Sequence, residues 1–220
     1  MIINVKRFTF SSFAENTYVV WDESSKEAMI VDPGCSEPYE EKQLTDFISE
    51  NNFSIKYLVN THCHIDHIFG CRFIKEKYNV LFYAPEQDIP LIQHFDKQVE
   101  YLGIEVSAKP PLPDHFITED LKLKLGETEP VFLFTPGHTP GEYCIYFHDD
   151  KFCITGDVLF QGSIGRTDLW GGDYDTLLIS IKTKLLTLPD DTIIYPGHGE
   201  ESTIGEEKKY NPFLNEIDFK

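Results

Sequence analysis

The sequence is short of positive charge: its 220 residues hold 19 Lys and Arg against 37 Asp and Glu, a formal net charge of −18. Such a surplus repels phosphate backbones and anionic bilayers, so neither nucleic acid nor a membrane surface is an expected partner. No run approaches the 18 or so apolar residues of a membrane span. Cysteine is sparse and scattered: Cys35, Cys63, Cys71, Cys144 and Cys153 are odd in number and form no CxxC pair. Reduced thiols fit this set better than a disulfide framework. The stretch Ile2-Ile3-Asn4-Val5-Lys6-Arg7 is too short and too soon charged for a signal peptide, so a cytoplasmic protein is expected. What is plentiful is core material, at 41% hydrophobic residues with 17 Phe and 11 Tyr. The length suits one large domain or two small ones.

Periodicity predicts alternating strands and helices. Residues 3–10, 17–21 and 28–31 read as strands, followed by a helix over 39–51 and a strand over 55–60. A helix over 67–78 and a strand over 80–83 come next, then a helix over 87–102 interrupted early by Pro90. Lys109-Pro110-Pro111-Leu112-Pro113 reads as a rigid connector. Residues 121–125 alternate strictly and are expected to pair with a strand over 131–134. A hairpin over 143–147 and 152–155, a helix over 174–186 and a strand over 192–195 complete the pattern.

Chemistry concentrates where these strands end. Thr61-His62-Cys63-His64-Ile65-Asp66-His67 follows the strand over 55–60. His62 and His64 are two apart, so in extended backbone they point the same way. Asp66 and His67 follow where the chain is free to turn and can serve a second, nearby position. Histidine is the commonest metal ligand at neutral pH, and aspartate adds charge and a hard oxygen. His138 sits in Thr135-Pro136-Gly137-His138-Thr139-Pro140-Gly141, Asp157 ends the strand over 152–155, and His198 follows the last strand. One such residue alone is more often a cap or a turn; four strand ends with the same feature point to a metal centre. Asp32, in Asp32-Pro33-Gly34, reads equally as turn chemistry or as a carboxylate that orients a metal-bound histidine. His94, His115 and His148 lack this setting and read as surface residues.

The set His62-Cys63-His64-Ile65-Asp66-His67, His138, Asp157 and His198 resembles the HxHxDH signature of the metallo-β-lactamase-fold hydrolase superfamily. Gly162-Ser163-Ile164-Gly165-Arg166-Thr167-Asp168, Leu188-Pro189-Asp190-Asp191-Thr192 and Tyr210-Asn211-Pro212-Phe213-Leu214 are closest to its short, bacterial glyoxalase II-like branch. The resemblance implies an α+β fold, a four-layer αββα sandwich of two mixed β-sheets. It implies a single domain over 1–220 without a separate C-terminal helical domain. It assigns His62, His64 and His138 to one metal site, Asp66, His67 and His198 to a second, and Asp157 as the bridging carboxylate. Two divalent ions are implied, zinc first, with iron or manganese suited to the same donors. The implied activity is hydrolysis of a small-molecule thioester by metal-activated water, with Asp66, Asp157 and Arg166 as catalytic residues. An alternative is a mononuclear-iron persulfide dioxygenase using His62, His138 and Asp157, and another a non-catalytic metal-binding or sensor protein. Arg166 reads equally as a cation near the substrate or as a surface residue paired with Asp168 or Asp173. Larger glutathione-specific enzymes carry basic residues where this chain has Asn215 and Glu216, so a thioester other than that of glutathione fits as well. Cys63, between two inward histidines, reads as a small filler facing away from the metals.

Overall fold

The computed structural model describes residues 2–106 and 108–214; Asn215 and Glu216 lie outside that range. The chain falls into two compact units. One comprises the residues up to Ile117 with Leu123–Glu129, the other Thr118–Lys122 with the chain from Pro130 onward. Among the described residues no helix is long and apolar enough to cross a membrane.

The first unit is built on a mixed sheet of strands β1 (Ile3–Phe10), β2 (Glu15–Asp22), β3 (Glu27–Val31), β4 (Ser54–Val59), β5 (Leu81–Ala84) and β6 (His115–Phe116), in that order. β1, β2 and β3 pair antiparallel, and β3 to β6 run parallel. Parallel neighbours need crossovers, and helices α1 (Pro38–Glu50), α2 (Cys71–Tyr78), α3 (Ile89–Gln93) and α4 (Phe95–Leu102) lie in them. α1 starts on a capping box between Glu37 and Glu40 and buries Leu44 and Ile48. These join Phe8, Phe10, Ile30, Leu58 and Phe82 in the unit's core. β4 is exposed at its start and buried at Leu58 and Val59. The chain therefore leaves that strand inside the protein, where a cluster of polar side chains needs partners.

The second unit carries β7 (Val131–Phe134), β8 (Tyr143–Phe147), β9 (Phe152–Gly156), the hairpin β10 (Leu159–Phe160) and β11 (Ser163–Ile164), β12 (Ile193–Pro196) and β13 (Ser202–Thr203). The main sheet has the order β13-β12-β9-β8-β7 and is mixed, with β12 parallel to β9. Helices α5 (Tyr174–Ser180) and α6 (Ile204–Tyr210), with the turn Ile181–Leu185 after α5, bury Leu177, Ile181, Leu185 and Ile204 with Cys144, Cys153 and Leu159. Two mixed sheets with their helices give the α+β class expected from the sequence.

Four expectations need correction. The helix expected over 67–78 begins only at Cys71, because Ile65–His67 forms a 3₁₀ turn. The Gly70 amide donates to the Pro33 carbonyl at 2.7 Å, which holds the chain on the Asp32-Pro33-Gly34 turn before the helix can start. The helix over 87–102 is two helices broken at His94, and Pro90 sits in the first turn of α3, where its missing N–H costs nothing. Residues 121–125 form no strand. The Lys124 amide goes to the Tyr57 hydroxyl and that of Gly126 to Glu27, leaving a single bridge from Leu125 to Thr128. β7 pairs with β8 instead. The helix over 174–186 changes at Ile181–Leu185 into a π turn, where the Leu186 amide reaches the Ile181 carbonyl at 2.9 Å.

Candidate metal centre

In the first unit, the loop after β4 is pinned by its own first residue. Asn60 continues the ladder to the Tyr83 carbonyl, and its side-chain amide donates to the His67 carbonyl (2.7 Å) and to Asp32 Oδ1 (3.1 Å). Asp32 sits in left-handed backbone, φ 49°, which turns its carboxylate back toward the loop. Oδ1 accepts the Thr61 amide at 2.7 Å and Oδ2 the Thr61 hydroxyl at 2.6 Å. With its proton committed to Asp32, the Thr61 oxygen acts as acceptor for His62 Nδ1, 3.1 Å away. His67 Nδ1 lies 3.2 Å from Asp32 Oδ2. One carboxylate thus reaches His62 Nδ1 through Thr61 and stands beside His67 Nδ1, which favours the proton on Nδ1 of each ring and leaves Nε2 as the electron-pair donor. Asp32 makes the turn and orients both histidines.

His62 and His67 are fully buried, and His64 and Asp66 nearly so. The His62 ring centroid lies 4.1 Å from that of His67 and 5.0 Å from that of His64, and Asp66 Oδ2 lies 4.0 Å from His67 Nε2. Cys63 is buried, donates its amide to Asp88 Oδ2 at 3.1 Å, and has its thiol pushed well up by burial. It is the small filler expected.

One neighbour escapes the sequence. Glu15 is fully buried at the start of β2, with Oε1 3.9 Å from His67 Nδ1. Oε2 accepts the Thr17 hydroxyl (2.9 Å), whose oxygen accepts the Gly34 amide (2.9 Å). Burial pushes the Glu15 carboxyl well above the usual carboxylate range, against the pull of His67. Its only trace in the sequence is a polar start, Glu15-Asn16-Thr17, to an otherwise apolar strand.

The second unit gathers three donors. Gly137 has φ 135° and approaches α5 so closely that a Cβ would stand 2.3 Å from the Leu177 nitrogen. Its carbonyl accepts the Asp173 amide at 2.8 Å, seating the His138 loop on the start of that helix. His138 Nδ1 donates to the Arg166 carbonyl at 2.7 Å, which again assigns Nε2 as the donor nitrogen. His138 Nε2 lies 3.4 Å and His198 Nε2 3.6 Å from the same oxygen, Asp157 Oδ2. Two ligands about 2.05 Å from one tetrahedral ion stand about 3.3 Å apart. The three groups therefore have the spacing of ligands better than that of hydrogen-bonded partners. The amide of Asp157 donates to Glu142 Oε1 at 2.7 Å; Glu142 is fully buried and is another residue that the sequence does not reveal.

Imidazoles beside carboxylates, with Nδ1 of His62, His67 and His138 facing a hydroxyl, a carboxylate and a carbonyl in turn, suit a divalent cation of intermediate softness. The residues fit a metal. The Arg166 guanidinium forms an exposed, bidentate pair with Asp168 at 2.7 and 2.8 Å, which holds the Asp168 carboxyl down to about 2. The surface pairing foreseen for Arg166 is present, and what the residue contributes to the centre is its backbone carbonyl, which accepts the His138 Nδ1 proton. Of the histidines read as surface residues, His148 pairs with Asp149, His94 Nδ1 meets the Pro90 carbonyl and His115 stacks on Tyr83.

Comparison with known proteins agrees with these observations. The family model described as "Metallo-beta-lactamase superfamily" matches residues 12–198. The hydroxyacylglutathione hydrolase GloC of Haemophilus influenzae is 40% identical over 215 residues, 97% of this chain and 99% of that protein. The crystal structure of the BLEG-1 B3 metallo-beta-lactamase superposes with a TM-score of 0.86 at 33% identity, over 96% of this chain and 99% of the other. The TTHA1623 structure in a di-iron-bound form gives 0.84 at 33% identity, over 95% and 100%.

Proposed function

The chain belongs to the metallo-beta-lactamase superfamily, and we propose that it is a glyoxalase II-like hydrolase of a small-molecule thioester. Membership makes it a metal-dependent hydrolase; what carries the thioester reading is the full-length likeness to a protein named hydroxyacylglutathione hydrolase. In this reading the chain works as one domain over 1–220, in the cytoplasm. His62, His64 and His138 would hold one ion and Asp66, His67 and His198 a second, with Asp157 available to either. Zinc is the first choice; the di-iron-bound form of a relative one-third identical supports iron as the second, and manganese takes the same donors.

Two such ions would supply water of pKa near 7 and polarise a carbonyl oxygen. The protein's part is to hold and to move protons. Asp32 and the Arg166 carbonyl favour the proton on Nδ1 of His62, His67 and His138, so that those rings offer Nε2. Asp66 takes up the proton of the attacking water. The departing thiol has an ordinary pKa near 8.5 and leaves as thiolate without a proton donor, which favours thioesters over amides. Arg166 turns from Asp168 to an anionic group of the substrate, an exchange that costs little because an exposed ion pair is worth about 1 kcal/mol or less.

The acyl carrier is less specified. Lys208 is engaged by Asp190 Oδ1 (2.6 Å), and Lys209 lies over the Tyr210 ring at 4.7 Å. With these cations occupied, a thiol carrier other than glutathione is a full candidate. The test is metal content of protein purified without added metal, with turnover of S-lactoylglutathione and a panel of other thioesters. His62→Ala and Asp157→Asn are expected to lose both metal and turnover. Full activity of a metal-free variant, or no activity on any thioester, overturns the proposal.

A further inference from the structure

The motif Tyr210-Asn211-Pro212-Phe213-Leu214 and the stretch from Gly162 to Asp168 are joined by a buried polar clamp whose purpose lies beyond the hairpin it grips. Glu207, on α6, is buried; its Oε1 accepts the Ser202 hydroxyl (2.5 Å), and its Oε2 accepts the Gly162 amide (2.8 Å) and the Asn211 side-chain amide (2.8 Å). Asn211, fully buried, also donates through Nδ2 to the Ser163 carbonyl (3.0 Å), and its Oδ1 accepts the Phe213 amide (3.1 Å). The β11 side of the turn between β10 and β11, at Gly162 and Ser163, is therefore held by α6 and the residue that ends it. Leu214 is buried with Leu159, Ile164 and Ile204, which locks the same contact from the apolar side.

From the hairpin the constraint runs directly to a donor of the metal centre. β11 pairs Ile164 with Leu159, and the Gly165 amide donates to the Val158 carbonyl at 3.3 Å. At Gly165 a Cβ would stand 1.8 Å from the Asp157 carbonyl oxygen and 3.1 Å from the Cβ of His138. The hairpin's exit thus lies flat against both residues. The next carbonyl, that of Arg166, receives the His138 Nδ1 proton.

We propose that Asn211 and Glu207 are positioning residues for His138: by gripping Gly162 and Ser163 they set where the Arg166 carbonyl stands, and so the tautomer and orientation of the His138 ring. The proposal explains why a C-terminal motif accompanies the His138 loop in one chain. The Arg166 carbonyl lies two residues beyond the two-residue strand β11, outside any ladder that would fix it, and a buried carboxylate with several donors is a rigid anchor. It rests on the reading that His138 is a metal ligand, and the experiment separates the two.

Zinc affinity is measured by competition with a chromophoric chelator for the wild type, His138→Ala, Asn211→Ala and Glu207→Gln, each also melted in the metal-free form. In parallel, histidine-selective ¹⁵N spectra of the metal-free proteins report the His138 tautomer. Asn211→Ala is expected to weaken zinc by about 10-fold and to lose the protected Nδ1–H signal of His138, while those of His62 and His67 stay. Glu207→Gln, which keeps the size of the side chain, is expected to shift both readouts in the same direction and carries the test if Asn211→Ala does not fold. A lower melting temperature with unchanged zinc affinity and an unchanged His138 signal reduces the clamp to a structural role and overturns the proposal. If His138→Ala itself leaves zinc binding unchanged, the metal reading fails instead.

Discussion

Replacing Asp32 by Asn isolates the tautomer argument, because asparagine tolerates the left-handed backbone that Asp32 adopts at φ 49°. The amide oxygen can keep the bonds that Oδ1 accepts from the Thr61 and Asn60 nitrogens. The amide NH₂ then stands where Oδ2 stood, facing the Thr61 hydroxyl and His67 Nδ1. A donor in that place forces His67 Nδ1 to accept. It also turns the Thr61 hydroxyl proton toward His62 Nδ1, so both rings move their proton to Nε2, the nitrogen assigned to the metal. Restoring the binding tautomer in two rings without the carboxylate's charge should weaken zinc by about 10- to 100-fold, or about 1.4 to 2.7 kcal/mol. The metal-free fold, which exchanges one charged acceptor for a neutral group, should lose about 1 to 3 kcal/mol. Chelator competition gives the affinity, denaturant unfolding of the metal-free chain the stability, and ¹⁵N histidine spectra the protonated nitrogen. Wild-type zinc affinity with both protons still on Nδ1 would refute the assignment of Asp32 as the orienting group.

Three further outcomes are expected. All five cysteines are buried, and burial pushes the thiols of Cys35, Cys63, Cys71 and Cys144 up. The native protein at pH 8 should therefore leave a thiol reagent unreacted until denatured, whereas rapid labelling of Cys63 would show the ligand loop to be open. Asp168 ionises more readily in the folded chain, held down to about 2 by Arg166. Its share of stability is complete above the ordinary aspartate range near 4 and is lost as pH falls toward 2, so melting curves of wild type and Asp168→Asn should differ at pH 6 and converge near pH 2. A difference that persists at pH 2 would assign the effect to packing. Gly137→Ala should destabilise by about 3 kcal/mol, since it strains the backbone at φ 135° and drives a methyl against the Leu177 nitrogen; a change within about 0.5 kcal/mol would mean that the loop shifts freely.

Much of this arrangement is legible in the sequence, for a local reason. A strand end is recognisable from a β-branched or aromatic run, and a histidine or aspartate just beyond it is visible at once. His62, His138, Asp157 and His198 each follow a strand that the structure contains, β4, β7, β9 and β12. What periodicity misses are segments whose donors are claimed by distant side chains. Leu121 to Leu125 alternates as a strand should, yet the Tyr57 hydroxyl and the Glu27 carboxylate take two of the amides around it. Glu15 and Glu142 are missed for the same reason. An acidic residue in a strand reads as solvent-facing unless its partner is known, and their partners, His67 and the Asp157 amide, lie 52 and 15 residues away along the chain.

The same division explains what a metal signature can and cannot say. The motif supplies imidazoles, and every imidazole has two nitrogens; which one binds depends on what the other meets. For His67 it is a carboxylate from the turn after β3, for His62 the same carboxylate through Thr61, and for His138 a carbonyl just beyond a hairpin that α6 braces. Thr61 adjoins the motif and Asp32 stands out as a strand-end carboxylate, but a backbone carbonyl such as that of Arg166, 28 residues beyond His138, carries no side-chain signal in the sequence. Chains can therefore share the full set of ligands and differ in affinity or choice of metal through the acceptors alone. In this protein those acceptors are Asp32, Thr61 and the Arg166 carbonyl, and variation there is the first place to look for the origin of its metal preference.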